Sequence, residues 1–272
     1  MGLRSKFRRW YRKRAFQRGT LITTLGPTDD VRGFIERFRE KYVAVELIRV
    51  GGDKDGGYLL PDVLDQIDCC FSPGVDYVAD FESELSERYG ISSYMADASV
   101  AGPPSNDPNF HFIGKFLGSR TDGDVITLSD WVDETIGDSD VSPILQMDIE
   151  GGEYDVLTFE TADRLAQFSI MIVEFHGLHK LFDKQFLRGV SSIFEKIYHH
   201  FSIAHVHPNN CNAIVGLDGV EVPPVIEVTF IRNDLVDSFA STNGISLPHA
   251  LDRMNNPDGE DIVMPESWWR KN

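Results

Sequence analysis

Cysteine is scarce in this 272-residue chain: Cys69, Cys70 and Cys211 make three, an odd number without metal-ligand spacing. That argues against a disulfide framework or a zinc module and fits a reducing, cytoplasmic compartment. Long apolar runs are missing too, so nothing reads as a membrane span or a secretory signal peptide. There is no G-x-G-x-x-G and no P-loop, which disfavours NAD, FAD and the phosphate cradle of nucleotide hydrolases. Internal repeats and low-complexity tracts are absent. Basic charge is the last shortage. The chain carries 26 Lys and Arg against 43 Asp and Glu, a net charge of −17. Eight of the basic side chains crowd into residues 1–19, which hold no acid, leaving 18 against 43 for the rest. So acidic a body repels polynucleotide, and no nucleic-acid partner is expected.

The basic terminal segment also carries Leu3, Phe7, Trp10, Tyr11 and Phe16. A helix would gather Phe7, Trp10 and Tyr11 on one face, the pattern of an interfacial helix drawn to anionic lipid. The same segment could instead fray, or dock on the acidic body. Gly2 is no myristoylation site, because Lys6 stands where Ser or Thr is needed. Peripheral contact with the inner face of a membrane through residues 1–19 is therefore one expectation.

What the remainder does have is apolar strands that run straight into acids. Residues 143–157 read PILQMDIEGGEYDVL: a buried strand ends in Asp148, and Glu150, Gly151, Gly152 and Glu153 follow at once. In an open α/β sheet the ligand crevice lies beyond the carboxyl ends of the strands. Asp148 and Glu150 would project there, whereas Glu153 equally suits the first turn of a helix. The pattern recurs. Residues 67–71 form an apolar strand followed by Ser72-Pro73-Gly74-Val75-Asp76 and a helical stretch to Tyr89, with Gly90 as its C-cap. Residues 91–96 end in Asp97, about 20 residues past the glycine loop, the position at which an acid holds ribose hydroxyls. Residues 169–175 end in Glu174-Phe175-His176, and a histidine there suits proton transfer near neutrality. Residues 201–205 lead into HVHPNNCN, placing His207, Asn209 and Asn210 on the following loop.

Upstream, a helix is expected over residues 31–42, capped by Asp29 or Asp30. Then LIRVGGDKDGGYLLPD reads as strand, turn, strand, with Asp55 and Tyr58 facing a ligand. Asp53 and Asp55 also resemble a pair of metal-binding acids, but the later ligands of a calcium loop are missing. Further helices are expected at 127–135, 154–168 and 185–200, a third strand at 110–116, and a last strand at 224–232. Alternating strands and helices closed by a late hairpin give one α/β domain, here 20–235, preceded by the basic segment 1–19 and followed by a peripheral tail, 236–272.

LQMDIEGGEYDVL resembles the most recognisable motif of the FkbM family of S-adenosylmethionine-dependent methyltransferases. IRVGGDKDGGYLLPD, FSPGVDYVADFESELSERYG, IVEFH and HVHPNN follow the family's order, so the resemblance covers about 48–232. It implies a class I methyltransferase (Rossmann-like) fold: a seven-stranded, mostly parallel sheet with an antiparallel last strand and S-adenosylmethionine at its carboxyl edge. Ser72, Gly74 and Asp76 would lie against the cofactor, Gly74 meeting its methionine part; Asp97 would take the ribose hydroxyls and Asp148 would border it. The run Ser72–Asp76 has fewer glycines than such loops usually carry. The resemblance further implies O-methylation of a sugar or polyketide-like hydroxyl.

An alcohol loses a proton as it attacks a methyl group, so a base is required. Asp148 or His176 would supply it, with Glu150 and Glu174 orienting base or acceptor, and Asp55, Tyr58, His207 and Asn210 binding a small-molecule or glycan acceptor. No metal is assigned, although an ion held by Asp148 and Glu150 would acidify the hydroxyl. Two other readings stay open. One is a metal-dependent glycosyltransferase or hydrolase using Asp53/Asp55 or Asp148/Glu150; the other is a non-catalytic, membrane-associated binding protein on the same fold.

Overall fold

The computed structural model describes residues 3–20, 22–75 and 77–271, with side chains described from residue 10 onward. Helix α1 (Leu3–Gln17) stands first, and α2 (Thr28–Glu40) follows. The expected cap on α2 is not made: Pro27 is the N-cap, without a side-chain hydrogen bond, and Asp29 and Asp30 sit inside the first turn. There they oppose the positive end of the helix dipole instead. A hairpin comes next, β1 (Leu47–Gly51) paired antiparallel with β2 (Gly57–Pro61).

The α/β body then runs β3 (Cys69–Pro73), α3 (Asp80–Glu84, continued by a π turn to Tyr89), β4 (Ser92–Ala96), β5 (Phe110–Ile113), the short pair β6 (Phe116–Leu117) and β7 (Val125–Ile126), and α4 (Leu128–Thr135). It continues with β8 (Pro143–Met147), α5 (Glu153–Phe159), α6 (Ala162–Leu165), β9 (Ile170–Phe175), α7 (Lys184–Ile197) and β10 (Phe201–Pro208). It ends with the small hairpin β11 (Val215–Leu217)–β12 (Val220–Val222) and β13 (Ile226–Arg232). The single helix expected over 154–168 is thus two, broken where Glu160 takes extended geometry and Thr161 caps the backbone N–H of Arg164.

Seven strands form one sheet in the order β10-β13-β9-β8-β3-β4-β5. Neighbours from β9 to β5 are parallel; β13 is antiparallel to both β9 and β10. This is the class I methyltransferase arrangement, last strand reversed. Its strands read as unbroken apolar runs because both faces are covered. Period-2 alternation sends Phe71, Leu145, Met147, Met171, Val173 and Phe175 into a core under α2, α4, α5 and α7. Cys70, Ile144, Ile170 and Ile172 go to the opposite face, under α3 and the β1–β2 hairpin. α7 starts where the Asp183 carboxylate accepts from the N–H groups of Gln185 and Phe186.

The segment after residue 235, expected to be peripheral, is instead built into the molecule. Trp268 is fully buried, edge-on to Phe34 and Phe38. Its indole N–H donates to the Glu221 carbonyl at 3.0 Å. Sequence periodicity misses this because the segment is irregular; it is held by one large side chain and local turns. Among the described residues no helix is long and apolar enough to cross a membrane. On α1, Trp10, Tyr11 and Phe16 are exposed, and the Arg14 guanidinium lies 4.7 Å over the Trp10 ring.

Candidate active site

The carboxyl ends of β3, β4 and β8 open onto a cavity of about 610 Å³. Gly74, Asp97, Asp148, Glu150, Asp55 and Tyr58 all line it, from four separate stretches of sequence. Gly74 has φ +85°, and a Cβ built there would fall 1.7 Å from the Asp148 carbonyl oxygen. The glycine therefore lets the loop after β3 lie directly on the loop after β8. Asp97 is buried, its Oδ1 accepting from the N–H and the hydroxyl of Ser99, both at 2.7 Å. Asp76 lies outside the described residues.

Ser72 does not reach the cavity. It is fully buried, and its hydroxyl is shared between Glu82 and Gln146 Oε1, the latter at 2.8 Å. Burial pushes the Glu82 carboxyl above its ordinary value, and the single Ser72 hydroxyl hydrogen is donated to Glu82 or to Gln146. Gln146 Nε2 in turn donates to the Tyr58 hydroxyl at 3.0 Å. Glu82 and Gln146 themselves border the cavity. Gln146 had a visible signal, a polar residue inside the apolar run of β8; Glu82 had none.

The loop between β1 and β2 is organised by Arg49, whose guanidinium donates to the Gly52 carbonyl at 3.0 and 2.6 Å and to that of Lys54 at 3.1 Å. A Cβ on Gly57 would fall 2.0 Å from the Gly52 oxygen. These glycines answer to the loop's own packing, and the loop holds Asp55 at the cavity mouth.

Deeper in, four carboxylates surround one imidazole. His176 Nε2 lies 3.2 Å from Glu174, 3.4 Å from Glu150 and 3.9 Å from Asp148, while Nδ1 lies 3.3 Å from Glu153. Glu153, ambiguous in sequence, is fully buried and also accepts from the backbone N–H groups of Gly151 and His176, at 2.8 and 2.6 Å. It thus ties the turn after β8 to the turn after β9. Burial alone would favour neutral His176, but hydrogen bonds to Glu153 and Glu174 outweigh it and push the ring up to about 11. An imidazolium has no lone pair to accept a proton, so these carboxylates disfavour His176 as the base. Asp148 is pushed up to about 8 by burial first and by Glu174 second, with His176 opposing. Its Oδ1 is buried without a hydrogen-bond partner. Glu150 is exposed and holds φ +53°, a left-handed conformation uncommon outside glycine.

His207 and Asn210 go elsewhere. His207 is buried on β10 opposite Glu227 and lies 3.7 Å from Asp252, which also bonds His205 at 2.8 Å. Asn210 is consumed by the C-terminal segment, donating to the carbonyls of Asn256 and Glu260 and accepting from the Asn256 N–H. Its neighbour Asn209 is the one on the site, donating to Glu174 at 3.2 Å. Glu227 and Asn255, unmarked in sequence, also arrive: Asn255 Nδ2 donates to both Asp55 and Glu227.

No lysine, arginine or histidine borders the cavity among the described residues, whereas Asp80, Glu82, Asp97, Asp148, Glu150 and Asp55 do. Such a lining suits a ligand with positive charge and hydrogen-bond donors. S-adenosylmethionine, with a sulfonium, an ammonium and ribose hydroxyls, is one. A diphosphate is not.

No curated protein matches the chain. Among solved structures it is similar to a fibrillarin/Nop5p complex (11% identity, 61% of this chain and 72% of that one, TM-score 0.35). It is likewise similar to the Methanococcus jannaschii fibrillarin pre-rRNA processing protein (10%, 69% and 82%, 0.39). A third is the precorrin-6y C5,15-methyltransferase of Geobacter metallireducens (11%, 77% and 93%, 0.34). Likeness at this level is loose, and the assignment stands on the family match and the strand order. Residues 78–204, which hold the DIEGGE and EFH turns, match the methyltransferase FkbM domain.

Proposed function

We propose that the protein is an S-adenosylmethionine-dependent O-methyltransferase acting on a hydroxyl of a sugar or glycan precursor. The observation that carries the reading is a cavity at the carboxyl edge of β3, β4 and β8, lined by acids and by no basic side chain. That lining offers no basic side chain to a nucleotide-sugar's phosphates, so the glycosyltransferase alternative would need a divalent cation to bridge them to the carboxylates. The cofactor, when bound, supplies an electrophilic methyl group on a sulfonium sulfur. Asp97 would hold its ribose hydroxyls, and the glycine-bearing loop after β3 would take its amino-acid end.

Asp148 is the base in this reading. It borders the cavity, keeps an unpartnered oxygen, and has a proton affinity near working pH, where a general base is most effective. His176 acts through others: its positive charge holds Glu174 and Glu150 beside Asp148. Much of the acceleration comes from aligning oxygen, methyl carbon and sulfur. S-adenosylhomocysteine should raise the melting temperature, while nucleotide-sugars with manganese should not. Incubation of cofactor with purified glycans should yield a product heavier by one methylene; thermal stabilisation by nucleotide-sugars alone would overturn the reading.

Contact with an anionic membrane through residues 1–19 belongs to the same proposal. Exposed Trp10, Tyr11 and Phe16 on a basic helix support it. A cytoplasmic enzyme at the inner membrane face would there meet lipid-linked glycan precursors.

A further inference from the structure

Acids of three separate segments converge where Asp55 borders the cavity. One carboxylate oxygen each from Asp55, Glu174 and Glu227 lies within 4.8 Å of the others. Glu174 and Glu227 are direct cross-strand partners on β9 and β13, only 4% and 6% exposed. Like charges placed directly opposite destabilise a sheet, and burial worsens the repulsion. The partners they do have leave gaps. Glu174 Oε2 is buried with nothing bonded to it. Asn255 reaches in from the C-terminal segment, gives its Nδ2 to both Asp55 and Glu227, and leaves its own Oδ1 buried and unpartnered.

Glu174 Oε2 and Asn255 Oδ1 are oxygen acceptors, and a buried acceptor left unmade costs about 1–3 kcal/mol; His207, across the strand from Glu227, also has both ring nitrogens buried without a hydrogen bond. No thiol or imidazole belongs to the trio. Oxygen-only ligands select hard divalent cations over zinc or copper. We propose that Asp55, Glu174 and Glu227 bind one Mg²⁺ or Mn²⁺ ion. Magnesium keeps several of its own waters and takes few protein carboxylates. The open positions would therefore be available to two neighbouring hydroxyls of the acceptor.

In this arrangement, which for its role in turnover rests on the methyl-transfer reading, the ion lowers the proton affinity of the attacking hydroxyl. The proton passes to Asp148. The oxygen's electron pair forms the new O–CH₃ bond as the S–CH₃ bond breaks, and its electrons remain on sulfur, leaving a neutral thioether. Acceptors with paired hydroxyls would be preferred over simple alcohols.

The test is cation binding by the full-length protein, stripped with chelator and free of cofactor and acceptor, with free Mn²⁺ followed by electron paramagnetic resonance. One equivalent should bind, competed by Mg²⁺. Asp55→Asn and Glu227→Gln should each weaken it by about tenfold or more, while Asp53→Asn, an exposed acid outside the trio, should leave it unchanged. Asp55 is also exposed, so its variant tests the site without threatening the fold; melting temperatures of all variants are read alongside. Absence of bound Mn²⁺ in the wild type, or wild-type binding by both trio variants, overturns the proposal. S-adenosylhomocysteine binding, measured separately, decides the methyl-transfer reading: its failure with intact Mn²⁺ binding would sink that reading and leave the cation site.

Discussion

The two halves of the cavity treat their acids differently. On the β3–β4 side each buried acid is matched: Asp97 by Ser99, and Glu82 by Ser72 within a chain that runs on through Gln146 to Tyr58. On the β8–β9–β13 side carboxylates outnumber donors, one imidazolium serves four of them, and oxygens of Asp148, Glu174 and Asn255 stay unpaired. A matched half binds by shape and is complete alone. An unmatched half is finished only by what enters it, so chemistry and acceptor choice belong there.

The largest effect should come from the boundary between them. Asp148→Asn should cut turnover by about 10²–10⁴-fold while calorimetry still finds cofactor-analogue binding; a variant near wild-type rate would remove Asp148 as the base. The pH profile sharpens the same point. Without a bound divalent cation, whose charge would offset that of Glu174, a carboxyl pushed up to about 8 works as a base only once ionised, so turnover in chelator should rise with pH through about 8. His176, held to about 11, should add no falling limb below that pH, and its ¹⁵N shifts should report an imidazolium at pH 8. A profile flat between pH 6 and 9 would break the assignment.

Next in size is Glu153→Gln. Losing that carboxylate should lower the proton affinity of His176 and loosen the turns after β8 and β9, reducing turnover with little change in cofactor binding. Rescue by Glu153→Asp would mark a charge effect; equal loss in both would mark a purely structural one. On the matched side, Ser72→Ala should cost about 1–3 kcal/mol of stability, since it strands Glu82 and Gln146, and leave the rate per folded molecule unchanged. Smallest of all, removing residues 1–19 should leave turnover on a soluble acceptor alone and abolish co-sedimentation with anionic vesicles; retained sedimentation would end the membrane proposal.

The contrast also explains what the sequence disclosed. The alternation of strands and helices, the late antiparallel pair and the acids at the ends of β4, β8 and β9 were legible, because buried strands are plain apolar runs and an acid ending one stands out. Asp55 and Tyr58 could be picked from a glycine-rich turn. Glu227 could not: inside PVIEVTFIR it reads as one polar residue of an edge strand, and only its register opposite Glu174 gives it meaning. Asn255 and Trp268 lie in an irregular stretch without periodicity, so no local pattern announces them. Asn210 was taken for Asn209 because adjacent residues on a turn point apart, and sequence cannot say which faces inward. His176 was legible as a site residue but not in its charge, which depends on carboxylates of the turn after β8 and on Glu174 of β9.

Asn255 carries a consequence for relatives of this chain. The stretch matched to the FkbM domain, 78–204, holds Asp97, Asp148 and His176, yet Asp55 and Gly74 precede it and Glu227 and Asn255 follow it. Two proteins could share that stretch residue for residue and still methylate different molecules, because the wall facing the acceptor is contributed by the flanks. Inheritance of reaction type and inheritance of acceptor are separable in this architecture, and exchanging the segment around residue 255 is the direct way to move one without the other.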